Sequence, residues 1–328
     1  MVFWKTYPIC NIFHSICNRE LFKSQIFNKE AIESPTGLTP IIIKQNQNIN
    51  YISKVREFIK NNFGSPPKTP ILDIPEKYLL SNNDHIFIIK DSSNNIAGCI
   101  RYHYLGIFIT FRNIPIYCVD CFCINKLWRK KGVGDYLLTK LHNYVNDNNI
   151  PYCMFLKEGR NLNIIHAPLY SSIYVYRELY VSNKSENVKS LTVKHAYKLI
   201  DFFREICPHI FIIYNIDSKN QIWKLYKKHT YKVLVCFQNV FQEFEENGRM
   251  KKIAWITAWI ESPNMTDKQR EEASKELSDT MYPDFNYIWM NRVWSGNSNI
   301  WRIDGPFHWY SYQWTTCINI KKSYCLLN

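Results

Sequence analysis

Residues Val119 to Lys140 read V-D-C-F-C-I-N-K-L-W-R-K-K-G-V-G-D-Y-L-L-T-K. The first six have the apolar character of a buried strand. From Val133 onward, apolar residues recur at the three- and four-residue spacing of an amphipathic helix. Between these segments lies a turn that is rich in basic residues and glycine. The stretch therefore predicts a strand, a basic turn and a helix in direct succession.

This turn has the features of an anion site. The N–H groups and the positive dipole end of a following helix point at one place, an arrangement that suits a pyrophosphate. Arg129, Lys130 and Lys131 add positive charge, while Gly132 and Gly134 allow the backbone to approach a ligand closely. The motif is neither G-x4-G-K-[ST] nor G-x-G-x-x-G, so the common nucleotide-binding loops do not explain it.

The composition is that of a folded protein with a basic surface. The chain has 328 residues, of which 46% are hydrophobic, enough for one large or two ordinary domains and too apolar for wholesale disorder. The net charge of +13 is spread along the chain and forms no long basic tail. We therefore expect a polyanionic co-substrate or an acidic partner surface, and no nucleic acid.

Membrane and metal signals are weak in this sequence. No apolar run reaches the ~18–20 residues of a membrane span, and the first residues do not resemble a secretion signal. The 11 cysteines predict buried thiols of a reducing cytoplasm, since they are odd in number and scattered through predicted strands and helices. Cys118, Cys121 and Cys123 lack a second ligand pair at zinc spacing, so no metal site is predicted.

Two runs of similar elements predict the domain organisation. Residues 1–48 are irregular and predict an arm. The segment 49–187 predicts a helix at 52–62, strands at 86–90, 96–105 and 108–124, the basic turn, a helix and a strand at 152–156. The segment 188–328 repeats this order, with helices at 193–206 and 267–281 and strands at 232–241, 253–261, 287–293 and 307–317. The second run lacks a counterpart of the basic turn, so one co-substrate site is expected, in a chain that is predicted to be a monomer.

Several segments resemble known families. R-K-K-G-V-G at 129–134 resembles the pyrophosphate loop of the GNAT superfamily of acyl-CoA-dependent N-acyltransferases. F-W-K-T-Y-P at 3–8 resembles the F-W-x-T-Q-P motif of the glycylpeptide N-tetradecanoyltransferases (N-myristoyltransferases). V-D-C-F-C-I-N-K at 119–126 resembles the I-N-F-L-C-V-H-K motif of this family. D-G-P-F-H-W-Y-S-Y-Q-W at 304–314 resembles its G-D-G-x-L-x-Y-Y-L-Y-N-W motif. Y-V-Y-R at 174–177 is similar to part of R-Y-W-H-R. The segments are in the family's order along nearly the whole chain.

The resemblance implies an α/β (α+β) fold of two GNAT-like halves with pseudo-twofold symmetry, with mostly antiparallel sheets flanked by helices. It implies an enzyme that transfers a myristoyl group from myristoyl-CoA, a co-substrate and not a permanent cofactor, to the N-terminal glycine of a protein. The first half would bind acyl-CoA and the second would form much of the peptide groove.

The resemblance also assigns roles to individual residues. The backbone N–H groups of Cys121 and Phe122 would form an oxyanion hole, and the terminal carboxylate of Asn328 would be the general base. Expected acyl-CoA contacts are Phe3, Trp4, Cys123, Ile124, Arg129, Lys130, Lys131, Gly132, Val133, Gly134 and Asp135. Expected peptide contacts are Asp120, Tyr174, Tyr176, Asp304 and Gly305.

The sequence departs from the family mainly on the peptide side. The acidic patch that follows the family's first helix is replaced by N-N-F-G-S-P-P at 61–67, and the Y-T-A-G segment by F-L-K-E-G at 155–159. We therefore predict a changed peptide preference. Two alternatives stay open on sequence alone: a duplicated GNAT enzyme that uses acetyl-CoA, and a catalytically silent protein that binds acyl-CoA or N-terminal glycines.

Overall fold

The computed structural model describes residues 23–24, 33–64, 70–109, 113–150, 152–162, 168–181, 184–206, 213–215, 218–312 and 314–315. Five α-helices lie within these ranges: α1 (Ile52–Asn62), α2 (Glu76–Leu79), α3 (Val133–Asp147), α4 (Val193–Ile206) and α5 (Asp267–Asp279). Short 3-10 helices span Ile49–Tyr51 and Lys126–Trp128.

The strands of the described ranges fall into two sets along the chain. The first set is β1 (Lys23–Ser24), β2 (Thr39–Ile43), β3 (Ile71–Leu72), β4 (His85–Lys90), β5 (Ile96–Ile109), β6 (Asn113–Ile124), β7 (Cys153–Glu158) and β8 (Tyr170–Glu178). The second is β9 (Val188–Leu191), β10 (Ile213–Tyr214), β11 (Gln221–Lys228), β12 (Tyr231–Glu246), β13 (Arg249–Glu261), β14 (Tyr287–Asn291), β15 (Arg302–Tyr312) and β16 (Trp314–Thr315).

Fourteen of these strands form one sheet, and the remaining two, β1 and β16, pair with each other. The sheet order is β2-β4-β5-β6-β7-β15-β8-β14-β13-β12-β11-β9, with β10 and β3 paired to β5 and β12. Strand β15 of the second run therefore lies beside β7 of the first, and β8 lies beside β14. This exchange joins both runs into a single sheet.

Apart from the short elements β3, α2 and β10, the two runs have the same order of elements. Each contains a strand, a helix, three antiparallel strands, a helix and a strand that pairs in parallel with the third. The parallel pairs are β6–β7 and β13–β14, and the other pairings are antiparallel. The predicted α/β class with a mostly antiparallel sheet and flanking helices is confirmed.

Two sequence-based expectations about strands are wrong. Residues 39–43, predicted as part of an irregular arm, form the edge strand β2, which pairs with β4. Pro40 masked this strand, but proline is tolerated at a sheet edge, where no partner needs its missing N–H. The single strand expected over 108–124 is two strands, since β5 ends at Ile109 and β6 begins at Asn113.

Helix α3 is positioned by the apolar face that the sequence predicted. Val133, Leu137 and Leu141 are buried and pack against Phe87 and Ile100 of the sheet. Because these residues recur every fourth position, one face of the helix is covered by β4 and β5. This packing fixes the start of α3 beside the end of β6. No helix in the described ranges is long and apolar enough to span a membrane.

Candidate functional site

The end of β6, the basic turn and the start of α3 surround a cavity of about 580 Å³. This volume is within the ~300–1,000 Å³ of small-molecule sites. Its lining residues are Asn62, Phe63, Gly64, Phe122, Cys123, Ile124, Trp128, Arg129, Lys130, Gly132, Gly134 and Asp135. Most of the residues that were predicted to contact acyl-CoA, and one of the two predicted oxyanion residues, are thus brought together around one cavity.

The N-terminus of α3 has the geometry of an anion site. Gly132 is the N-cap residue with φ 78°, and no side chain caps the helix. The first intrahelical bond is donated by the N–H of Tyr136 to the carbonyl of Gly132, at 3.0 Å. The preceding N–H groups have no helical acceptor, because the first turn of an α-helix leaves its donors unpaired. They are therefore available to a negatively charged group beside the cavity.

The basic residues of the turn differ in what they contact. Arg129 donates from Nε to the carbonyl of Ile124 at 3.1 Å and from Nη2 to that of Asn62 at 3.3 Å. Its side chain therefore ties the end of β6 to the end of α1. Lys131 lies over the ring of Trp128, with Nζ 5.1 Å from the ring centroid, and Lys130 is exposed. Both lysines are exposed, and Lys130 lines the cavity while Lys131 contacts the lining residue Trp128.

Substitution of Gly132 tests this backbone geometry. The left-handed φ of 78° is strained for a β-branched residue, although a Cβ there would meet no atom within 4 Å. We expect Gly132→Val to lower the free energy of unfolding by ~1–3 kcal/mol in urea titrations. Gly132→Asn should have a smaller effect, because asparagine tolerates this conformation. Equal losses in the two variants would contradict the assigned backbone conformation.

A β-bulge lies in β6 beside this cavity. The ladder pairs Arg101 with Asp120 and Cys99 with Cys123, so Cys121 and Phe122 together face one residue of β5. Cys121 has a left-handed φ of 49°, and its carbonyl accepts a hydrogen bond from the thiol of Cys99 at 3.3 Å. A bulge removes a residue from the ladder and redirects its backbone. The predicted oxyanion residues therefore occupy an irregular point of this strand, where its backbone leaves the ladder.

The thiols around the bulge are not reactive groups. Burial raises the pKa of Cys123 to about 11, and it also raises the pKa values of Cys99 and Cys121. The thiolate is the nucleophilic form of cysteine, so these side chains are inert at neutral pH. Within the described ranges, no three His, Cys, Asp or Glu residues lie close enough together to hold a metal ion.

Asp120 is part of an ion pair rather than a free carboxylate. Nε of Arg101 donates to its Oδ1 at 2.6 Å, and Nη2 contacts its Oδ2. Nη1 of Arg101 donates to the carbonyls of Tyr78 and Leu79 at 2.9 and 3.3 Å. Both carboxylate oxygens are thus occupied by a buried guanidinium. These contacts support a structural role for Asp120 and argue against peptide binding or base catalysis by it.

Strands β6 and β7 separate at the level of the bulge. They pair in parallel only at Tyr117–Cys153 and Cys118–Met154. Beyond this point β7 pairs with β15 up to Glu158, and no pairing joins 119–124 to 155–158 in the described parts of both strands. Two parallel strands that separate in this way leave a gap at their carboxyl ends, and the bulge and the cavity lie on its β6 side.

The other predicted peptide contacts lie farther along the sheet, on β8 and β15. Asp304 is exposed at a bulge of β15 between Ile303 and Gly305, and Tyr176 of β8 is half-buried. Tyr174, in contrast, is fully buried and packs against Trp289 and Phe307 with ring centroids 4.8 and 4.3 Å apart. The surroundings of Tyr174 are those of a core residue and give no support to peptide contact.

His308 joins the strand ends on this side. Its Nε2 lies 2.9 Å from the carbonyl of Gly159, and its Nδ1 lies 2.8 Å from Oγ of Ser171. Since the carbonyl can only accept, Nε2 carries a proton and donates it. Burial and the nearby Asp304 raise the pKa of Glu158 at the end of β7. His308 in the middle of β15 therefore joins the carboxyl end of β7 to the amino end of β8.

Sequence reasoning missed several residues of this site. Asn62, Phe63, Gly64 and Trp128 line the cavity, and the last of these stands directly before the basic turn. Arg101 is the only Arg or Lys between Ile96 and Leu105, a signal that it has a buried partner. Phe3, Trp4 and Asn328 lie outside the described residues, so their assignments stay predictions.

Comparison with known proteins identifies the fold. Three structures of Saccharomyces cerevisiae N-myristoyltransferase, each with bound myristoyl-CoA and one also with inhibitors, match the chain with TM-scores of 0.67, 0.62 and 0.63. The matches cover 99, 95 and 98% of this chain and 92, 92 and 93% of those chains, at 10, 9 and 9% sequence identity. No protein-family model matches the sequence, and no curated protein matches it.

These matches define the class of fold, a mixed α/β structure built on a large, mostly antiparallel sheet. The particular fold is that of N-myristoyltransferase, as the resemblance of the sequence motifs implied. Since the identity is about 10%, the comparison concerns the fold alone.

Proposed function

We propose that this protein transfers a long-chain acyl group, in the first instance myristoyl, from acyl-CoA to the N-terminal glycine of a polypeptide. One observation carries the proposal: the bulge at Cys121–Phe122 and the uncapped start of α3 meet at one cavity, in the fold of N-myristoyltransferase. The bulge suits a developing oxyanion, and the helix start with its basic turn suits the phosphates of the coenzyme.

The proposed reaction is an attack by the glycine nitrogen on the thioester carbonyl carbon. The N–C bond forms, the C–S bond breaks, and the coenzyme leaves as a thiolate that takes up a proton. Backbone N–H groups at the bulge stabilise the negative charge on the carbonyl oxygen, and loss of one such donor typically costs ~2.7–4 kcal/mol of transition-state stabilisation. Because these donors belong to the backbone, Cys121 and Phe122 can differ from the family's residues without loss of the function.

The attacking amine has to be neutral. A terminal amine has a pKa of ~7.7–8.0 and a terminal carboxyl one of ~3.3–3.7, so a solvated carboxylate is a weak base for it. Burial raises the pKa of a carboxyl group, and C-L-L before Asn328 is an apolar anchor for such burial. We propose the main-chain carboxylate of Asn328 as the base, since Asp120 is occupied by Arg101.

Acyl-chain length separates this proposal from an acetyltransferase. Thermal shifts with acetyl-, octanoyl-, myristoyl- and palmitoyl-CoA should be largest for the long chains, because each buried CH₂ contributes ~0.8 kcal/mol to binding. Release of CoA in the presence of a Gly-Asn-x-x-x-Ser peptide should then separate an enzyme from a silent binder. Equal stabilisation by acetyl- and myristoyl-CoA, or no peptide-dependent release of CoA, would contradict the proposal.

The lysines of the basic turn should contribute to coenzyme affinity. We expect Lys130→Ala with Lys131→Ala to weaken myristoyl-CoA binding about tenfold at low salt, since an exposed charge contact contributes up to ~1 kcal/mol. Arg129 is left unchanged because it holds β6 and α1 together. The affinity is measured by isothermal titration calorimetry.

Lys194→Ala with Lys198→Ala, two exposed positions on α4, removes the same charge away from the cavity and serves as the control. The difference between the two double variants should shrink as salt rises and the screening length falls to ~8 Å at physiological ionic strength. Identical affinities in both variants would place the phosphates elsewhere.

A further inference from the structure

A second cavity, of about 350 Å³, lies at the far end of β8 and β15 from the paired segment of β6 and β7. Its walls come from the loop between β14 and β15 and from Val175 of β8 and Ile303 of β15. The loop contributes Trp294 and Trp301, and Arg292 and Arg302 lie at its two ends. The cavity is therefore cationic, with aromatic and aliphatic walls.

The two arginines have no carboxylate partner among the described residues. Arg292 donates from Nη1 to the carbonyl of Gly296 at 3.3 Å. Arg302 is exposed, and the hydroxyl of Tyr176 raises the pKa of its guanidinium. Glu178, which is within electrostatic range of Arg302, is itself bound by Tyr180 at 2.5 Å and lies 3.4 Å from Nζ of Lys251. Two guanidinium groups thus line the same cavity, and neither forms an ion pair within the described ranges.

Two acidic residues of α5 bind the loop that forms the cavity. Asp267 accepts from the backbone N–H of Ser295 at 2.9 Å and contacts its hydroxyl, and Glu271 contacts the hydroxyl of Ser298. Both acids belong to the first turns of α5. Oδ2 of Asp267 and Oε1 of Glu271 bind the loop, and Oδ1 of Asp267 pairs with Arg270 at 2.9 Å. The cavity is therefore preformed, which lowers the entropy that a ligand loses on binding.

Two buried tryptophan side chains form part of the cavity wall. Trp294 and Trp301 are 5% and 4% exposed, and neither indole N–H has an acceptor within the described ranges. A buried N–H without an acceptor is unfavourable by ~1–3 kcal/mol. Both side chains line the cavity, with ring centroids 5.8 Å apart. The indole nitrogens themselves are buried, so the positive charge of the cavity comes from the two arginines and its walls are mainly apolar.

The position of the cavity relates it to the proposed acyl-transfer site. Extension of the β6–β7 register by three residues beyond its last pair, Cys118–Met154, places Cys121 level with Lys157, which pairs with His308 of β15. Ile303 lies five residues farther along β15 and two strands across from β6. With 3.3–3.4 Å per residue and 4.7–4.9 Å per strand, the separation is roughly 20 Å, the span of about six extended residues. A peptide with its amine at the bulge can therefore reach the cavity.

We infer that this cavity is a subsite for an acidic side chain of the acyl acceptor, about six residues after its N-terminal glycine. The inference rests on the proposed function. A carboxylate pairs with Arg292 and Arg302, while the side-chain methylenes pack on Ile303 and the tryptophan rings. A basic side chain at the same place is repelled by both guanidinium groups. This subsite thus favours an acidic residue of the peptide, whereas an acidic patch after the first helix would favour a basic one.

The test uses glycine peptides that differ only in one residue, Glu, Ala or Lys, at about positions five to eight. Turnover with myristoyl-CoA gives kcat and KM, and fluorescence anisotropy of the dye-labelled peptides gives affinity without turnover. At one position, Glu should have at least about a tenfold lower KM than Lys, with kcat changed less than twofold, because two charge contacts at ~0.5–1 kcal/mol each are gained or opposed. The ratio should fall as salt rises.

Arg292→Gln with Arg302→Gln should remove the difference between Glu and Lys peptides, and Arg302→Glu should invert it. The control is Arg249→Gln, an exposed arginine at the start of β13. Thermal melting of each variant checks that the loop still folds. Loss of the preference in the Arg249 control to the same extent would show a general charge effect and overturn the inference.

The outcomes separate the two hypotheses. Turnover that is equal for Glu, Ala and Lys peptides would overturn the subsite and leave the proposed function intact. Arginine-dependent binding of the Glu peptide without any turnover would support the subsite and contradict the proposed function. Absence of both binding and turnover would overturn both.

Discussion

A protein that ends at Asn328 should turn over, and the same protein with residues added after Asn328 should lose most of its activity. Extension converts the terminal carboxylate into an uncharged amide, and loss of a general base typically lowers the rate ~10²–10⁴-fold. Deletion of Leu327 and Asn328 should lower kcat similarly, because the new terminus falls short by up to ~7 Å. Asn328→Ala should stay active, since its side chain takes no part. The measurement is kcat under saturating myristoyl-CoA and glycine peptide.

The chain is long enough for this role. The described backbone ends at Thr315, which pairs with Lys23, and the 13 residues 316–328 follow it. A fully extended segment of this length spans up to ~45 Å, more than the distance across the few strands between β15 and the bulge. Affinity for myristoyl-CoA should be nearly unchanged in all of these variants. An extended protein with the kcat of the unextended one would exclude the carboxylate, and a side-chain base would then be required.

The second large effect is expected in stability, at the ion pair beside the bulge. Arg101→Met leaves Asp120 without its guanidinium, and removal of one partner of a buried pair costs ~3–5 kcal/mol. The side chain of Arg101 is 7% exposed but that of Asp120 is 31% exposed, so we expect the lower end, about 3 kcal/mol. Urea unfolding measures the difference.

Two further variants separate structure from catalysis at this position. Arg101→Met combined with Asp120→Leu should recover much of the lost stability, because an apolar pair leaves no uncompensated charge. Asp120→Asn should retain kcat within about threefold at a temperature well below its melting point, whereas loss of a true base lowers the rate ~10²–10⁴-fold. A large fall in kcat for Asp120→Asn without loss of stability would show that Asp120 acts in the reaction.

Local patterns in the sequence predicted the first half of the site well. The stretch 119–140 contains strand, turn and helix in one continuous segment, so periodicity and two glycines were enough to place the start of α3 beside the end of β6. The oxyanion role of Cys121 was implied only by the family resemblance, and no residue in D-C-F-C predicts the bulge that the structure has there. The structure accounts for it through two side-chain contacts, Arg101 to Asp120 and Cys99 to Cys121.

Long-range features were beyond the reach of the sequence patterns. The insertion of β15 between β7 and β8 depends on pairings between residues more than a hundred positions apart, as with Trp309 and Tyr170. The second cavity likewise combines Val175 with a loop that begins at Arg292. Tyr174 shows that a motif alone can assign a wrong surrounding to a residue. The family-like motif assigned this tyrosine to peptide binding, yet its three aromatic neighbours make it a core residue.

The most direct test of the proposed acyl transfer is tandem mass spectrometry of a glycine peptide after incubation with the protein and an equimolar mixture of acetyl- and myristoyl-CoA. We predict a product with a myristoyl group on the N-terminal nitrogen. We also predict no product from the matched peptide in which alanine replaces the first glycine. Peptide that is recovered unmodified, or that carries an acetyl group or a myristoyl group on a lysine side chain, would contradict N-terminal myristoyl transfer.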